Sequence, residues 1–178
     1  NWDYETEPIG QTDDYLRFYF FKSREIEFKR NCIWNEQGEI WLEITDITFE
    51  EGAYMAYKEY NSTLGLIKLP FKIPKFTIER KEFLDKYLDF SSLKDIDYIS
   101  YSELSEDFTV KVEDVASANE FFTLEFIEFL HKSDISHIES SGEAVLILPT
   151  SFRPAHIHEY ANIIHLMKEM KAIIKKSN

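Results

Sequence analysis

The side chains best suited to holding a metal ion are His156-Ile157-His158, with His165 further along. Residues two apart on a helix lie about 200° around its axis, so His156 and His158 converge on one ion only if the helix starts after them. His158 and His165 stand two turns apart, too far for ordinary shared ligation. Both fall on the polar side, which reads as a solvated face. Carboxylate pairs occur at Asp13/Asp14, Glu50/Glu51, Asp95/Asp97, Glu106/Asp107 and Glu113/Asp114. None has the Asp/Asn ladder, Gly and closing Glu of a calcium loop, and none shows a setting that would raise one pKa and leave its neighbour ionised, as acid–base catalysis needs. Asp95-Ile96-Asp97 offers at most help to a cation. Cys32 sits among aromatic neighbours at an inward position, where burial disfavours the thiolate, so it reads as a core thiol.

Nucleophile and cofactor signatures are missing as well. Glu139-Ser140-Ser141-Gly142-Glu143 lacks the Gly-x-Ser-x-Gly elbow and contains what a hairpin turn would contain anyway. Five dispersed glycines form neither a P-loop nor a dinucleotide fingerprint. Asn61-Ser62-Thr63 matches a glycosylation acceptor, but so short a match carries no weight without a secretory context. The sequence therefore assigns no catalytic, cofactor-binding or metal residue, and no cofactor is expected.

With 178 residues, 44% of them hydrophobic, the chain can form one well-packed unit or two small lobes sharing an interface. Aromatics at 16%, with only five Gly and five Pro, favour a sheet-rich globular fold over disorder. Twenty Lys and Arg against 33 Asp and Glu give a formal charge of −13. Such a surface repels phosphate backbones, which excludes nucleic acid as a partner and leaves a protein. A single cysteine rules out an internal disulfide and a cysteine-based metal cage. No run approaches the ~20 apolar residues of a membrane span, and the first residues do not resemble a signal peptide. The chain lacks an initiator Met, so a membrane connection would run through a segment outside it.

Elements follow from the patterning. Residues 1–14 read as an acidic, flexible lead-in. Tyr15 to Phe21 reads as extended chain with Leu16, Phe18 and Phe20 on one side. Ile26, Phe28, Cys32 and Trp34 mark the inward side of a strand, Asn35 to Gly38 a hairpin loop, and Glu39 to Phe49 the return strand. The inward set there changes parity after Ile44, which suggests a bulge near Asp46. Tyr54 to Tyr60 reads as a strand, and Leu69 to Pro74 as a connector between lobes. The stretch from Lys68 to Lys81 is locally basic and reads as a solvated connector. A short strand from Lys75 leads into a helix over about 80–90, with a loop and a short strand near Ile96 to Ile99 after it.

The most regular patterning lies between Phe108 and Pro149. Phe108 to Val112 alternates as a half-buried strand. Asp114 or Ser117 can cap a short helix and Thr123 a second, whose apolar stripe is Leu124, Ile127 and Leu130, widened by Phe126 and Phe129. Val145 to Leu148 is apolar on both faces and reads as a strand covered on two sides. A final helix begins near Pro154, its apolar stripe running from Tyr160 to Ile174. The fold class expected is α+β: a mostly antiparallel sheet, with a β-rich N-terminal lobe over 1–68 and helices packed on a C-terminal lobe over 69–178.

Leu69-Pro70, Pro74-x-Phe76-x-Ile78, Asp95-Ile96-Asp97-Tyr98, Phe108, Phe121-Phe122-Thr123 and Glu139-Ser140-Ser141-Gly142 together resemble an uncharacterised family of bacterial proteins over roughly Leu69 to Met170. Glu79-Arg80 departs from the Arg-Pro pair expected there. The matching positions are strands, caps and turns, so the resemblance implies a fold and carries over no catalytic residue. Membrane segments elsewhere in such proteins imply a soluble domain tethered to a membrane, on its cytoplasmic side or free in the cytoplasm. The leading reading is a non-enzymatic binding domain. Its rivals are an acidic immunity or inhibitor protein that neutralises a basic partner, and a hydrolase with an unrecognised acidic or histidine site.

Overall fold

The computed structural model describes residues 2–6, 12–22, 24–52, 58–81, 99–100, 107–149 and 153–177. Residues 54–57 of the strand expected over Tyr54 to Tyr60, most of the helix expected over 80–90 and the Asp95/Asp97 pair lie outside them. The strands are β1 (Asp3–Glu5), β2 (Arg24–Gln37), β3 (Ile40–Glu51), β4 (Lys58–Lys68), β5 (Phe76–Arg80), β6 (Ile99–Ser100), β7 (Phe108–Val112), β8 (Ile135–Ser140) and β9 (Ala144–Pro149). They form one sheet in the order β1-β2-β3-β4-β9-β8-β5-β7-β6, every neighbouring pair antiparallel. The helices are α1 (Asp13–Leu16), α2 (Val115–Phe121), α3 (Leu124–Lys132) and α4 (Ile157–Lys176). The fold is therefore α+β, with most of the helical residues in the C-terminal half. Pairing of β4 with β9 carries the sheet across the Leu69 to Pro74 connector, and β1 lies within the acidic lead-in.

Two apolar clusters lie on opposite faces of this sheet. On one face α2, α3 and α4 bring Phe121, Phe126, Leu130, Met167 and Met170 onto Ile40, Leu42, Ile44, Ile78, Val145 and Ile147. Gly65 belongs to this contact, because a Cβ there would stand 2.9 Å from Met167 Sδ. On the other face, residues 12–22 form a strap whose Tyr15, Phe18, Phe20 and Phe21 cover Ile47, Phe49, Leu64, Leu66, Leu146 and Leu148. β9 is thus buried on both sides, as its unbroken apolar run predicts.

Local signals explain the helix starts. The Asp114 carboxylate accepts the Ser117 N–H at 2.8 Å, and the Thr123 hydroxyl accepts the Phe126 N–H at 3.3 Å. Along α3, Phe126, Phe129 and Leu130 are the buried residues, while Leu124 at the first position is 72% exposed, out of the stripe expected for it. Helix α4 begins at Ile157, later than Pro154 suggests, because His156 is its cap and gives its N–H to Glu159 at 2.6 Å.

Three expectations need correction. Residues 13–21 are α1 and a 3-10 turn, not extended chain, so Tyr15, Phe18 and Phe21 point inward at a three-residue spacing and Leu16 points out. β3 has no bulge near Asp46. Its even positions, Ile40 to Ile44, serve the helical side and its odd positions, Ile47 and Phe49, the strap side, so the change of parity reflects two covered faces. The irregularities fall in β2 instead, between Ile26 and Phe28 and between Arg30 and Ile33, the second containing Asn31 at φ 49°. They flip the side-chain parity, leaving Phe28 52% exposed while Cys32 stays inside.

Candidate functional site

A histidine between two carboxylates lies beneath the strap. Antiparallel pairing of β5 with β8 sets Glu79 directly opposite His137, and Glu139 follows on the same side of β8. His137 Nδ1 is 3.2 Å from Glu79 Oε1 and its Nε2 is 3.4 Å from Glu139 Oε2. All three side chains are buried. Burial alone disfavours the imidazolium, but its hydrogen bonds to the Glu139 and Glu79 carboxylates and their charges outweigh it and push the His137 pKa up to about 9. Glu139 also accepts backbone N–H groups from the strap, Tyr19 at 2.5 Å and Phe20 at 3.1 Å. Arg24 completes the corner: it donates to the Phe20 carbonyl at 2.5 Å and to Glu51 at 2.7 Å, with its guanidinium 4.5 Å from the Phe20 ring centroid.

A second buried charge fixes the strap's other end. Glu43 Oε1 accepts the Tyr15 hydroxyl at 2.5 Å and pairs with Lys29 Nζ at 2.7 Å. Burial first, and the Glu43 charge next, raise the Tyr15 pKa. The same two causes push the Cys32 thiol up to about 12, so Cys32 is the inert core thiol its spacing implies.

On the helical side, Asp46 joins three elements. It accepts the Tyr160 hydroxyl of α4 at 3.1 Å, the Asn31 amide at 2.8 Å and the Thr63 hydroxyl. Thr63 in turn accepts the Ala155 N–H at 2.6 Å. Burial, then the Asp46 charge, raise the Tyr160 pKa to about 12. This cluster seats the start of α4 on the sheet, and beyond it the helical face of β2, β3 and β4 carries no helix among the described residues. There Glu25, Glu50 and Glu59 stand in one cross-strand row, and the bulge at Glu27 brings a fourth carboxylate beside them. Ligand atoms of Glu27, Glu50 and Glu59 lie within 4.8 Å of one another.

The sequence-stated candidates separate. His156, His158 and His165 are all exposed. The His156 and His158 rings stack 5.7 Å apart, since His156 lies outside the helix, while His165 approaches Glu169. Of the carboxylate pairs, Asp14 bonds Arg17 and Lys68, Glu51 bonds Arg24, Glu113 pairs with Lys75, and Asp114 is the α2 cap. Basic residues of the 68–81 segment are mostly paired, with Arg80 donating to the carbonyls of Ser133 and Ile135. Asn61 lies within β4, its amide bonded to Glu59 and its carbonyl to Thr48. The Ser141-Gly142 turn borders an open depression of about 700 Å³ with Lys72, Lys75 and Glu120.

Sequence reasoning overlooked β8 as a strand and with it His137. The signal available was the alternation of His137 and Glu139 with Ile138, whose ionisable side reads as a wet face, while a register shift between Ile135 and His137 puts Ile135 with Ile138 on the helical side.

The fold is similar to the crystal structure of the mycobacterial trehalose monomycolate transport factor A, TtfA, with a TM-score of 0.62 at 11% sequence identity over 97% of this chain and 86% of that one. A likeness at that identity concerns the fold alone. No family model and no curated protein matches the chain.

Proposed function

We propose that this chain is a non-enzymatic binding domain of a bacterial protein, an accessory factor tethered to a membrane through a segment outside these residues. The observation that carries this reading is the use made of the perturbed ionisable groups. His137, Glu139, Glu43 and Tyr15 are shut inside the sheet–strap interface and bonded to one another or to strap backbone. A general acid or base must reach the proton it transfers. His137 is 1% exposed and carries a charge held by two carboxylates, so it neither meets solvent nor accepts a proton at neutral pH. The larger surface depressions are open and lined by side chains that pair with one another, such as Lys75 with Glu113. The likeness in fold to a transport factor and the resemblance over residues 69–170 to bacterial proteins support the same reading.

The test places a photo-crosslinking residue at Phe28, Leu124 or Ile157, three exposed apolar positions on different parts of the surface. In cells producing the full-length protein, at least one position is expected to give a discrete adduct with a defined protein. Hydrolysis of an ester, phosphomonoester or glycoside substrate that disappears in Glu139→Gln or His158→Ala would replace this reading with an enzymatic one.

A further inference from the structure

The strap over residues 12–22 covers one face of the sheet without being one of its strands. Backbone hydrogen bonds from Tyr15 to Thr12, Phe18 to Tyr15, Phe21 to Phe18 and Lys22 to Tyr19, at 2.9 to 3.1 Å, run within the segment. Its curl is therefore local and can travel with it. The sheet holds it through side chains: Glu43 accepts the Tyr15 hydroxyl, and Glu139 accepts the Tyr19 and Phe20 N–H groups.

Two features let the strap lift while the rest stays folded. Both carboxylates keep a cation of the sheet itself, Glu43 with Lys29 Nζ at 2.7 Å and Glu139 beside His137 Nε2 at 3.4 Å, so undocking strands neither charge. The strap also rests on its own apolar cluster, whereas Met167 and Met170 belong to the cluster on the opposite face, which its departure leaves intact. A segment with a separate cluster can open below the free energy of global unfolding. Lifting it uncovers Ile47, Phe49, Leu64, Leu66, Leu146 and Leu148, a contiguous apolar surface of the kind that takes a partner. The segment seated there defines the chemistry that fits. We propose that the strap is an exchangeable occupant of this face, opening as a unit and giving way to a segment of another protein that repeats its chemistry. That segment carries aromatic side chains at the spacing of Tyr15, Phe18, Phe20 and Phe21, a hydroxyl for Glu43 and two consecutive N–H groups for Glu139.

This inference rests on the binding-domain reading and names the partner's chemistry. The probe is a fluorescent peptide of residues 12–22, compared with one in which Tyr15, Phe18, Phe20 and Phe21 are replaced by Ala. Because the strap competes for the face, apparent affinity scales with the fraction of molecules in which it is open. Tyr15→Phe in the intact chain removes the hydrogen bond to Glu43 and keeps the ring, so anisotropy should show the aromatic peptide binding this variant about tenfold more tightly than wild type. In wild type, strap amides should exchange hydrogen faster than those of β9, and faster still with peptide bound. One common exchange rate for strap and β9, equal binding of both peptides, or no gain in Tyr15→Phe would overturn the proposal. The crosslinking experiment separates the two readings: an adduct formed from Leu124 or Ile157, equal in wild type and Tyr15→Phe, would keep the binding domain while exchange of the strap falls.

Discussion

Raising the pH through the alkaline range should loosen this protein by discharging His137. Its folded pKa of about 9 lies above the ordinary value of about 6.5, so protons bind the folded state more tightly. A group of that kind stabilises fully below its unfolded pKa and loses its contribution as pH rises through the folded one. The window is therefore about pH 6.5 to 9. A difference of about 2.5 pKa units, at about 1.36 kcal/mol each, amounts to roughly 3 kcal/mol. That is a large part of the roughly 5 to 15 kcal/mol that holds a domain together. The molecular reason is that neutral His137 leaves Glu79 and Glu139 ionised and buried beside it, and Glu139 is what grips the Tyr19 and Phe20 amides. Urea denaturation followed by tryptophan fluorescence, repeated from about pH 6 to about pH 10, measures the effect against His137→Gln, which has no charge to lose. Wild type should exceed the variant by about 3 kcal/mol at the acid end, and the two should converge above about pH 9. A gap that stays constant across the window would mean that folding does not raise the His137 pKa, and the account of the strap's attachment would be wrong.

Leu146→Ala and Ile147→Ala should each cost about 2 to 5 kcal/mol, because the two side chains are fully buried on opposite faces, whereas exposed Glu128→Ala should stay within about 0.5 kcal/mol in the same denaturation assay. Tyr15→Phe should cost about 1.5 to 3 kcal/mol, the range for a hydrogen bond to a charged group, and should raise hydrogen exchange of strap amides before those of β9. Cys32 should react with a thiol reagent at neutral pH only as fast as the protein unfolds, since the thiol is buried and titrates near 12.

Where an element's own residues set its surroundings, the amino-acid order alone determined the outcome. The unbroken apolar run of β9, the alternation of β7 and the caps Asp114 and Thr123 are all local devices, and each appears in the fold at its expected place. The class of fold and the inward Cys32 follow from the same kind of pattern. Other features depended on contacts between distant parts of the chain. Glu139 meets the amides of Tyr19 and Phe20 across separations of 120 and 119 residues, so nothing near β8 in the sequence announces that its ionisable side is roofed by aromatics. The strap's curl into α1 and a 3-10 turn, the parity of β3 and the outward Phe28 likewise depend on which face a distant segment covers. Hydrophobic patterning reports burial only when polarity and burial agree. For His137, Glu79, Glu139, Glu43 and Lys29 they disagree, because each buried charge is balanced by a partner that only the folded sheet brings within reach.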